Sequence, residues 1–333
     1  MAGLRGAYVA VLAVVIAIVA GLVGYTLGKA PRQAKAYVAP IKIASLDPAC
    51  TQIIASLGLL SDVNVIDIYS LALLKYLNAS APANATILKS IWPTPPVEVI
   101  VNASPSIICF DEGWYGLNAL GGFSDLGIPL IIINGTADRN FNQIASDVAS
   151  VANALHVPDR GAAVVDRMMN ILSNIKDRVR GLGRPTVLFV GWVNPIWTDS
   201  NSSFIGYEIY VAGGVDPINS TEPYLTITTP QLLTLNADYI ILSDFMGNCT
   251  ATLGAFLQIP GVNMTKAYRE GHIYVLGNLA ASLVEEPGPL SVYGAELIAM
   301  IIHPSAFNIA EVPQCINASW VLTHVKPSIT LGG

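Results

Sequence analysis

The sequence predicts an α/β protein with two lobes, each built on a parallel sheet, joined by one long α-helix and preceded by an N-terminal transmembrane helix. Two observations predict the lobes. Strand-like and helix-like segments alternate in residues 41–158 and again in residues 184–304, and the strand-like segments are continuous apolar runs, as in sheets covered on both faces. The third observation is an amphipathic segment between them, residues 159–183, which we interpret as a rigid spine. The alternative is an ordinary helix within one larger domain.

The spine is predicted from apolar positions that recur every three or four residues, as on one face of a helix. Asp159 is the expected N-cap, Gly181 and Gly183 end the helix, and Pro185 prevents its return. About 22 residues would give a rod of roughly 33 Å. The positions expected to face the core are Ala162, Val165, Met168, Leu172, Ile175 and Val179.

The N-terminus carries the strongest apolar bias in a chain that is 53% hydrophobic and 12% charged. Residues 6–28 hold no charge and are long enough to span a bilayer, so we expect residues 1–28 to form a membrane anchor or signal helix. Residues 5–7 also resemble the site at which archaeal prepilin-type peptidases cut ahead of an apolar helix. Residues 29–40 are expected to be a tether, and residues 305–333 a C-terminal extension.

Glycosylation sequons of the form N-x-[ST] are more frequent than chance predicts. They indicate a glycosylated surface on the extracytoplasmic face of the cell membrane, where the N-terminal helix would anchor the chain. The alternative is a polar surface that compensates for the few charges. The sequon at Asn102 is weakened by Pro105, which leaves Asn78, Asn84, Asn134, Asn201, Asn219, Asn248, Asn263 and Asn317.

Charge and motifs argue against several functions. The net charge is −6 and the basic residues are scattered, so no patch indicates nucleic-acid binding. No Ser-His-Asp order, Walker motif, GxGxxG or HExxH is present, so no catalytic residue is assigned and we do not expect an enzyme. The four cysteines include no CxxC pair and no histidine is placed as a metal ligand, so no metal site is expected.

Each lobe is expected to follow its own series of elements. In the first lobe we expect strands at residues 41–46, 63–68, 106–110 and 129–134, and helices at residues 51–59, 97–103 and 141–155. In the second lobe we expect strands at residues 186–191, 239–243 and 272–276, and helices at residues 204–212, 230–235 and 289–302. Thr229 is the expected N-cap of the helix that starts with Pro230.

Several motifs, in their order over about 260 residues, resemble the metal-chelate class of ABC transporter solute-binding proteins. Residues 45–51 (SLDPACT) resemble its opening, and residues 97–108 contain its step of a helix, a proline and a strand. The second lobe repeats that step at residues 230–241, and residues 271–275 and 287–289 match further positions. The resemblance implies two Rossmann-like α/β lobes on one long helix, little hinge closure, and a ligand held between the lobes. It also implies an ABC permease and its ATPase subunits as partners.

In such a fold, the loops that follow the strands line the cleft. Many of the chain's aromatic residues fall in these loops, and flat aromatic faces suit a large planar ligand. Residues 90–92 (SIW) also resemble the segment in which cobalamin-binding members place a tryptophan against the ligand. The residues expected to bind the ligand are Tyr69, Trp92, Phe110, Asp111, Trp114, Trp197, Tyr224, Asp244 and Glu286.

The charge of these loops narrows the choice of ligand. They carry several carboxylates and no clearly placed Arg or Lys, which favours a neutral or cationic ligand over an anionic ferric siderophore. A corrinoid such as cobalamin is therefore the first expectation for the transported ligand, and an iron chelate or heme is the second. No covalent cofactor is expected.

The resemblance also implies how the protein meets its permease. Members of the class present one surface glutamate per lobe to permease arginines. Glu98 fills the first place, whereas Pro230 stands at the second, where Glu222 in a neighbouring loop is a candidate substitute. The missing second glutamate, the apolar N-terminus and the dense sequons motivate an alternative function, a glycosylated cell-surface structural or filament subunit built on the same fold.

The cysteines of this fold are expected to pair within each lobe. An even number of cysteines outside the cell permits disulfides, although the sequence alone does not fix their connectivity. In the strand order of the class, the strands ending at Leu46 and Phe110 are neighbours. We therefore expect Cys50 to pair with Cys109, which leaves Cys249 for Cys315.

Overall fold

The structure is a computed structural model that describes residues 41–328, apart from residues 81, 92–93, 117–121, 124–126 and 246. The expected anchor (residues 1–28), the expected tether (residues 29–40) and Trp92 lie outside the described residues. Of the helices that are described, none combines the length and the hydropathy needed to cross a bilayer.

The first lobe is built on a five-stranded sheet whose neighbouring strands all run parallel, in the order 3-2-1-4-5. Its strands are β1 (Ile43–Ser45), β2 (Val63–Asp67), β3 (Thr86–Leu88), β4 (Ile107–Asp111) and β5 (Leu130–Ile133). Its helices are α1 (Pro48–Ser56), α2 (Ile68–Tyr76), α3 (Val97–Asn102), α4 (Glu112–Tyr115) and α5 (Phe141–Ala154), with short 3-10 turns at Leu60–Asp62 and Gly135–Ala137.

Three strands of this lobe are followed by helices that are capped in the same way. At the carboxyl end of β1, the Asp47 side chain accepts a hydrogen bond from the backbone N–H of Cys50. Asp67 caps α2 through the N–H groups of Tyr69 and Ser70, and Asp111 caps α4. An aspartate satisfies the free N–H groups of a helix start and also meets the positive end of the helix dipole. All three carboxylates are buried.

The second lobe is built on a six-stranded sheet in the order 11-10-9-6-7-8. Its strands are β6 (Val187–Trp192), β7 (Ile196–Asp199), β8 (Tyr224–Ile227), β9 (Tyr239–Asp244), β10 (Ile273–Gly277) and β11 (Cys315–Ile316). The sheet keeps the expected parallel core and adds two antiparallel strands, β7 and β8, that the sequence pattern does not predict. The connection from β6 to β7 is only residues 193–195, too short for the crossover that a parallel pair needs.

The helices of this lobe are α7 (Phe204–Val211), α8 (Thr229–Leu235), α9 (Cys249–Leu257), α10 (Lys266–Glu270), α11 (Leu279–Glu285), α12 (Ser291–Ile302) and α13 (Ala318–His324), with 3-10 turns at Val262–Met264 and Pro304–Phe307. Helix α8 is capped one residue earlier than expected, because Thr228 and Gln231 form a reciprocal capping box and Thr229 is already helical. Helix α11 occupies a stretch that the sequence pattern leaves as a loop.

The spine is α6 (Pro158–Val179), a 22-residue helix. Its N-cap is Val157, with Pro158 in the first turn, so the expected cap at Asp159 is wrong by two residues. Its buried face runs through Gly161 and Val164 before it joins the expected Met168, Leu172, Ile175 and Val179, so that Ala162 is exposed and Val165 half-buried. A Cβ at Gly161 would lie 2.5 Å from the Cβ of Ala152, so glycine allows the close approach to α5.

The two lobes and the spine share one continuous core. A single cluster of buried residues runs from Ile43 in the first lobe through Met168 of the spine to Leu297 in the second. The buried side chain of Gln52 on α1 adds a polar connection, since its amide donates to the Glu286 carbonyl at 3.3 Å and accepts from the Leu290 N–H at 3.1 Å. The two lobes are therefore joined by the shared core and by the hydrogen bonds of Gln52 as well as by the spine.

Two disulfides join the same pairs that the sequence leads us to expect. Cys50 on α1 is bonded to Cys109 on β4, and Cys249 at the start of α9 is bonded to Cys315 on β11. The second bond holds the C-terminal extension, because β11 pairs with β10 at one edge of the sheet and α13 packs against α11. The extension thus completes the second lobe within the described chain.

The spine generates the first prediction. Leu172→Asp places an unpaired charge at a position that is 5% exposed in the shared core, and we expect it to lower the free energy of unfolding by at least about 3 kcal/mol. The control is Asn174→Asp, an exposed position two residues away, expected to change stability by less than about 0.5 kcal/mol. Thermal melts followed by circular dichroism compare the two, and equal melting temperatures would contradict a buried spine.

Candidate functional site: a cleft between the lobes

A large cleft lies between the lobes where the carboxyl ends of β1, β4, β6 and β9 face one another. Its volume is about 1240 Å³, above the roughly 300–1,000 Å³ usual for small-molecule sites. Most of the expected ligand residues line it, namely Tyr69, Asp111, Trp114, Trp197, Tyr224, Asp244 and Glu286.

Phe110 does not line the cleft, although the sequence suggests it as a ligand residue. Its side chain is fully buried, with its ring centroid 5.0 Å from that of Tyr115 and 6.5 Å from that of Phe123. Successive side chains on a strand point to opposite faces, so Asp111 reaches the cleft while Phe110 packs into the first lobe. Trp92 lies outside the described residues, and its role stays a prediction.

One side of the cleft is an aromatic wall, formed by Trp192, Trp197, Tyr224 and Phe245 of the second lobe. The rings of Trp197 and Tyr224 stack, with centroids 5.4 Å apart and planes 19° from parallel. This stack follows from the antiparallel pairing of β7 with β8, which brings the two side chains onto one face. A Cβ at Gly191 would lie 2.7 Å from the Trp197 ring, so the glycine leaves room for it.

Trp192 is a lining residue that sequence reasoning missed. It ends β6, it is 61% exposed, and its indole N–H donates to the Asn194 carbonyl at 2.9 Å. The sequence could have predicted it, because Trp192 directly follows an apolar strand segment. The other cleft residues are predicted from that same placement after a strand. From the opposite side, Tyr69 of the first lobe is 48% exposed and faces the same cleft.

The base of the cleft is an acidic floor, formed by Asp47, Asp111, Asp199, Glu285 and Glu286. In the first lobe, Asp111 accepts hydrogen bonds from the N–H groups of Gly113, Trp114 and Thr136, yet burial raises its pKa to about 7. Burial, reinforced by the charge of Asp111, holds the pKa of Asp47 well above its ordinary value.

The second lobe supplies the rest of the acidic floor. Burial, together with the charge of Asp216, raises the pKa of Asp199 to about 7, against the opposing effects of Ser203 and Arg139. Burial raises the pKa of Glu285 to about 8, although the Ser243 hydroxyl is hydrogen-bonded to its carboxylate. Burial also holds the pKa of Glu286 well above the usual range. Both glutamates come from the end of α11, where they are half-buried rather than displayed on a loop.

Positive charge is scarce around this floor. Among the described residues that line the cleft, none is Lys, Arg or His, and the ion pairs of the described chain involve no floor carboxylate. Arg139 lies at the edge, with its guanidinium 5.6 Å from the centre of the Tyr224 ring. The Tyr224 hydroxyl donates to the Thr136 carbonyl at 3.4 Å, so the two lobes touch at this edge. In the described part of the chain, no cluster of His, Cys, Asp and Glu is arranged to hold a metal ion.

Of the remaining predicted residues, Asn248 lines the cleft, and the docking glutamates and the other sequon asparagines do not. Glu98 is exposed in the first turn of α3, and Glu222 is exposed in the loop before β8. The sequon asparagines are exposed except Asn134, whose half-buried amide donates to Asp138 at 2.6 Å. Carbohydrate on Asn134 would disturb that contact, and carbohydrate on Asn248 would enter the cleft and disturb the hydrogen bond by which its side chain caps α9.

Solved structures with the same architecture include proteins that bind metal chelates. The periplasmic heme-binding protein RhuT of Roseiflexus sp. RS-1, in its apo form, superimposes with a TM-score of 0.67 at 19% identity, over 80% of this chain and 99% of that one. A periplasmic heme-binding protein of Pseudomonas aeruginosa gives 0.66 at 20% identity, over 80% and 94%. The vitamin B12-binding protein BtuF of Vibrio cholerae gives 0.63 at 17% identity, over 80% and 97%. Among curated proteins, none matches the chain in sequence.

Two α/β lobes, a long connecting helix and a cleft at the carboxyl ends of the strands define a solute-binding protein of the kind that serves ABC importers. The family comparison agrees: residues 43–279 match the periplasmic binding protein family, and the chain belongs to that family. The expected class is thereby confirmed. The alternative of a glycosylated surface or filament subunit finds no support in these comparisons.

The buried carboxyls generate a prediction for stability. In the unfolded chain they release their protons near pH 4, whereas in the folded protein Asp111 and Asp199 hold theirs to about pH 7 and Glu285 to about pH 8. The folded state therefore binds more protons over this window, and the free energy of unfolding falls as the pH rises from 4 to 8.

We accordingly expect a higher melting temperature at pH 5 than at pH 8. The matched control is the double variant Asp199→Asn, Glu285→Gln, whose melting temperature should change less between the two values. A melting temperature that is constant or rises from pH 5 to pH 8 would contradict the burial of these acids.

Proposed function

We propose that this chain captures a large, flat chelate in the cleft outside the cytoplasm and delivers it to an ABC permease with its ATPase subunits, a corrinoid being the favoured ligand. The observation that carries the proposal is the combination of a roughly 1240 Å³ cleft, an aromatic wall and an acidic floor. An iron chelate or heme is the second candidate. The N-terminal anchor and the glycosylated surface are parts of the same proposal that derive from the sequence.

The aromatic wall supports a planar ligand. Trp197 and Tyr224 present a stacked pair of rings that are each more than a third exposed, and Trp192 extends the surface beyond them. Exposed aromatic faces on one lobe, with Tyr69 on the other, can hold a ring system from both sides. Large exposed aromatic faces are unfavourable in water, so a bound ligand that covers them would gain apolar contact area.

The acidic floor supports a corrinoid over heme. Heme carries two propionate groups, which are anions at neutral pH and would face buried carboxylates with no Lys or Arg on the cleft lining. A corrinoid instead carries amides around its ring, and their N–H groups can donate hydrogen bonds to carboxylates. The charge distribution thus gives a reason to prefer a ligand without anionic groups.

The aromatic wall provides the test. Trp197→Ala should weaken binding of cyanocobalamin about 30- to 1,000-fold, since truncating an aromatic anchor typically costs about 2–4 kcal/mol of binding free energy. The melting temperature should change little, because the side chain is 38% exposed. Isothermal titration calorimetry measures the affinity of the full chain.

The matched control is Tyr268→Ala, which removes an aromatic side chain of similar exposure (44%) that does not line the cleft. Unchanged affinity in both variants would refute the cleft as the corrinoid site. A wild type that ignores cyanocobalamin but binds heme would refute only the choice of ligand.

Docking to the permease is tested separately. Glu98→Arg reverses an exposed charge far from the floor, and like-charge contact with permease arginines should weaken stimulation of the transporter ATPase at least about tenfold. Ligand affinity should not change. The control is Glu311→Arg, another exposed acid, and ATPase stimulation in vesicles that contain the permease compares the two. Equal stimulation by both variants would argue against Glu98 as a docking residue.

A further inference from the structure

The acidic floor is continuous across the lobes rather than split between them. The charges of Asp111 and Asp67 raise the pKa of Asp47, that of Asp67 raises the pKa of Glu286, and that of Asp199 raises the pKa of Glu285. Carboxylates influence one another in this way only when they are close together in a poorly solvated place. The floor is therefore a single cluster of carboxyl groups, and Asp111, Asp199 and Glu285 become charged as the pH rises through 7 to 8.

Several carboxyl oxygens of the floor have no hydrogen-bond partner within the described chain. Asp47 Oδ2, Glu286 Oε2 and both carboxylate oxygens of Asp199 lack a hydrogen bond of acceptable geometry, and all three side chains line the cleft. Asp47 and Asp199 are fully buried. Unpaired buried carboxylates destabilise a fold. Helix capping explains Asp47, whereas the Ser203 hydroxyl, which lowers the pKa of Asp199, makes no hydrogen bond of acceptable geometry with it.

Asp199 is surrounded by further acids. Glu208 on α7 lies behind it, fully buried with both carboxylate oxygens unpaired, and Asp216 follows in the next loop. Arg139 of the other lobe lowers the pKa of Asp199 but forms no ion pair with it among the described residues. A buried carboxyl without a hydrogen bond of acceptable geometry is costly in the free protein, and a ligand that donates hydrogen bonds to Asp199 would remove that cost.

We infer that the acidic floor is a subsite for a cationic nitrogen, a protonated amine or an amidinium, carried by the ligand beneath the aromatic wall. An ammonium group donates several hydrogen bonds and cancels the like-charge repulsion of the floor. The ring of Trp192, the most exposed of the aromatic wall, lies in the same cleft, and aromatic faces attract cations. The inference rests on the proposed function in requiring that the cleft binds a solute, but it does not depend on a corrinoid.

The test uses a matched pair of probes. Spermidine carries ammonium groups, and 1,8-octanediol has a chain of the same length without charge. Both are titrated into the full chain at pH 8 and constant ionic strength, with tryptophan fluorescence and calorimetry as readouts. We expect saturable binding of spermidine, at least tenfold tighter than that of the diol. Spermidine that binds no tighter than the diol would overturn the inference.

Two variants locate the subsite. Asp199→Asn and Glu285→Gln each remove one charge and keep the shape, and each should weaken spermidine binding about ten- to a hundredfold. Neither should lower the melting temperature at pH 8, which separates loss of binding from loss of folding. Glu311→Gln, an exposed acid outside the cleft, is the control and should bind as the wild type does. Unchanged affinity in both floor variants would overturn the assignment.

The outcome is distinguishable from that of the corrinoid test. Binding of cyanocobalamin without preference for spermidine over the diol would keep the proposed function and remove the amine subsite. Binding of spermidine that depends on Asp199, in a protein that ignores cyanocobalamin, would keep the subsite and remove the corrinoid.

Discussion

The site depends on one arrangement, an aspartate at the end of a strand that caps the helix after it. Asp47, Asp67 and Asp111 all do this in the first lobe, and all three are buried. Asp47 and Asp111 also line the cleft. The helix N-termini supply N–H groups and a positive dipole end, which make a buried carboxylate tolerable. The same bonds fix the first turns of α2 and α4, which carry Tyr69 and Trp114, so the cleft lining on this side is placed by helix capping.

The second lobe also places acidic side chains in the cleft, but not at the N-termini of helices. Its acids come from the end of an antiparallel strand and from the end of a buried helix, where fewer backbone N–H groups are available. The carboxylates are correspondingly less satisfied, and Asp199 has no bond of acceptable geometry. Stability is highest where charges are solvated or paired, so a cleft that holds them unpaired favours ligand binding at the expense of stability. The shared core behind the cleft offsets that loss.

The large features of the fold follow from the sequence because they rest on long periodic signals. Apolar runs fix most of the strands, and a stripe of apolar residues fixes the spine to within a few residues at each end. The predicted start and buried face of the spine are wrong in its first turns because Gly161, which has no apolar side chain, faces the core there. The sequence pattern does not predict helix α11, because the helix is buried on most sides and therefore lacks a polar face.

The site is less predictable, because it depends on faces rather than on segments. A position directly after a strand identified most of the cleft residues, but it could not tell which way Phe110 and Asp111 point without the register of β4. The stack of Trp197 on Tyr224 arises from strand pairing between segments more than twenty residues apart, which no local pattern encodes. The partial burial of Glu285 likewise depends on the packing of the whole lobe.

The Gln52 connection between the lobes has a mechanical consequence. Its amide holds the backbone on both sides of Pro287, directly beneath the acidic floor, and the continuous core extends the same attachment through the spine. To widen the gap, the molecule would have to break buried hydrogen bonds and bend a helix, whereas a loop hinge would only need to rotate. The distance between the two lobes is thus fixed before a ligand binds. A cleft of fixed width would admit only solutes thin enough to fit between the lobes. The association rate would then be limited by diffusion of the solute rather than by a closing motion of the lobes.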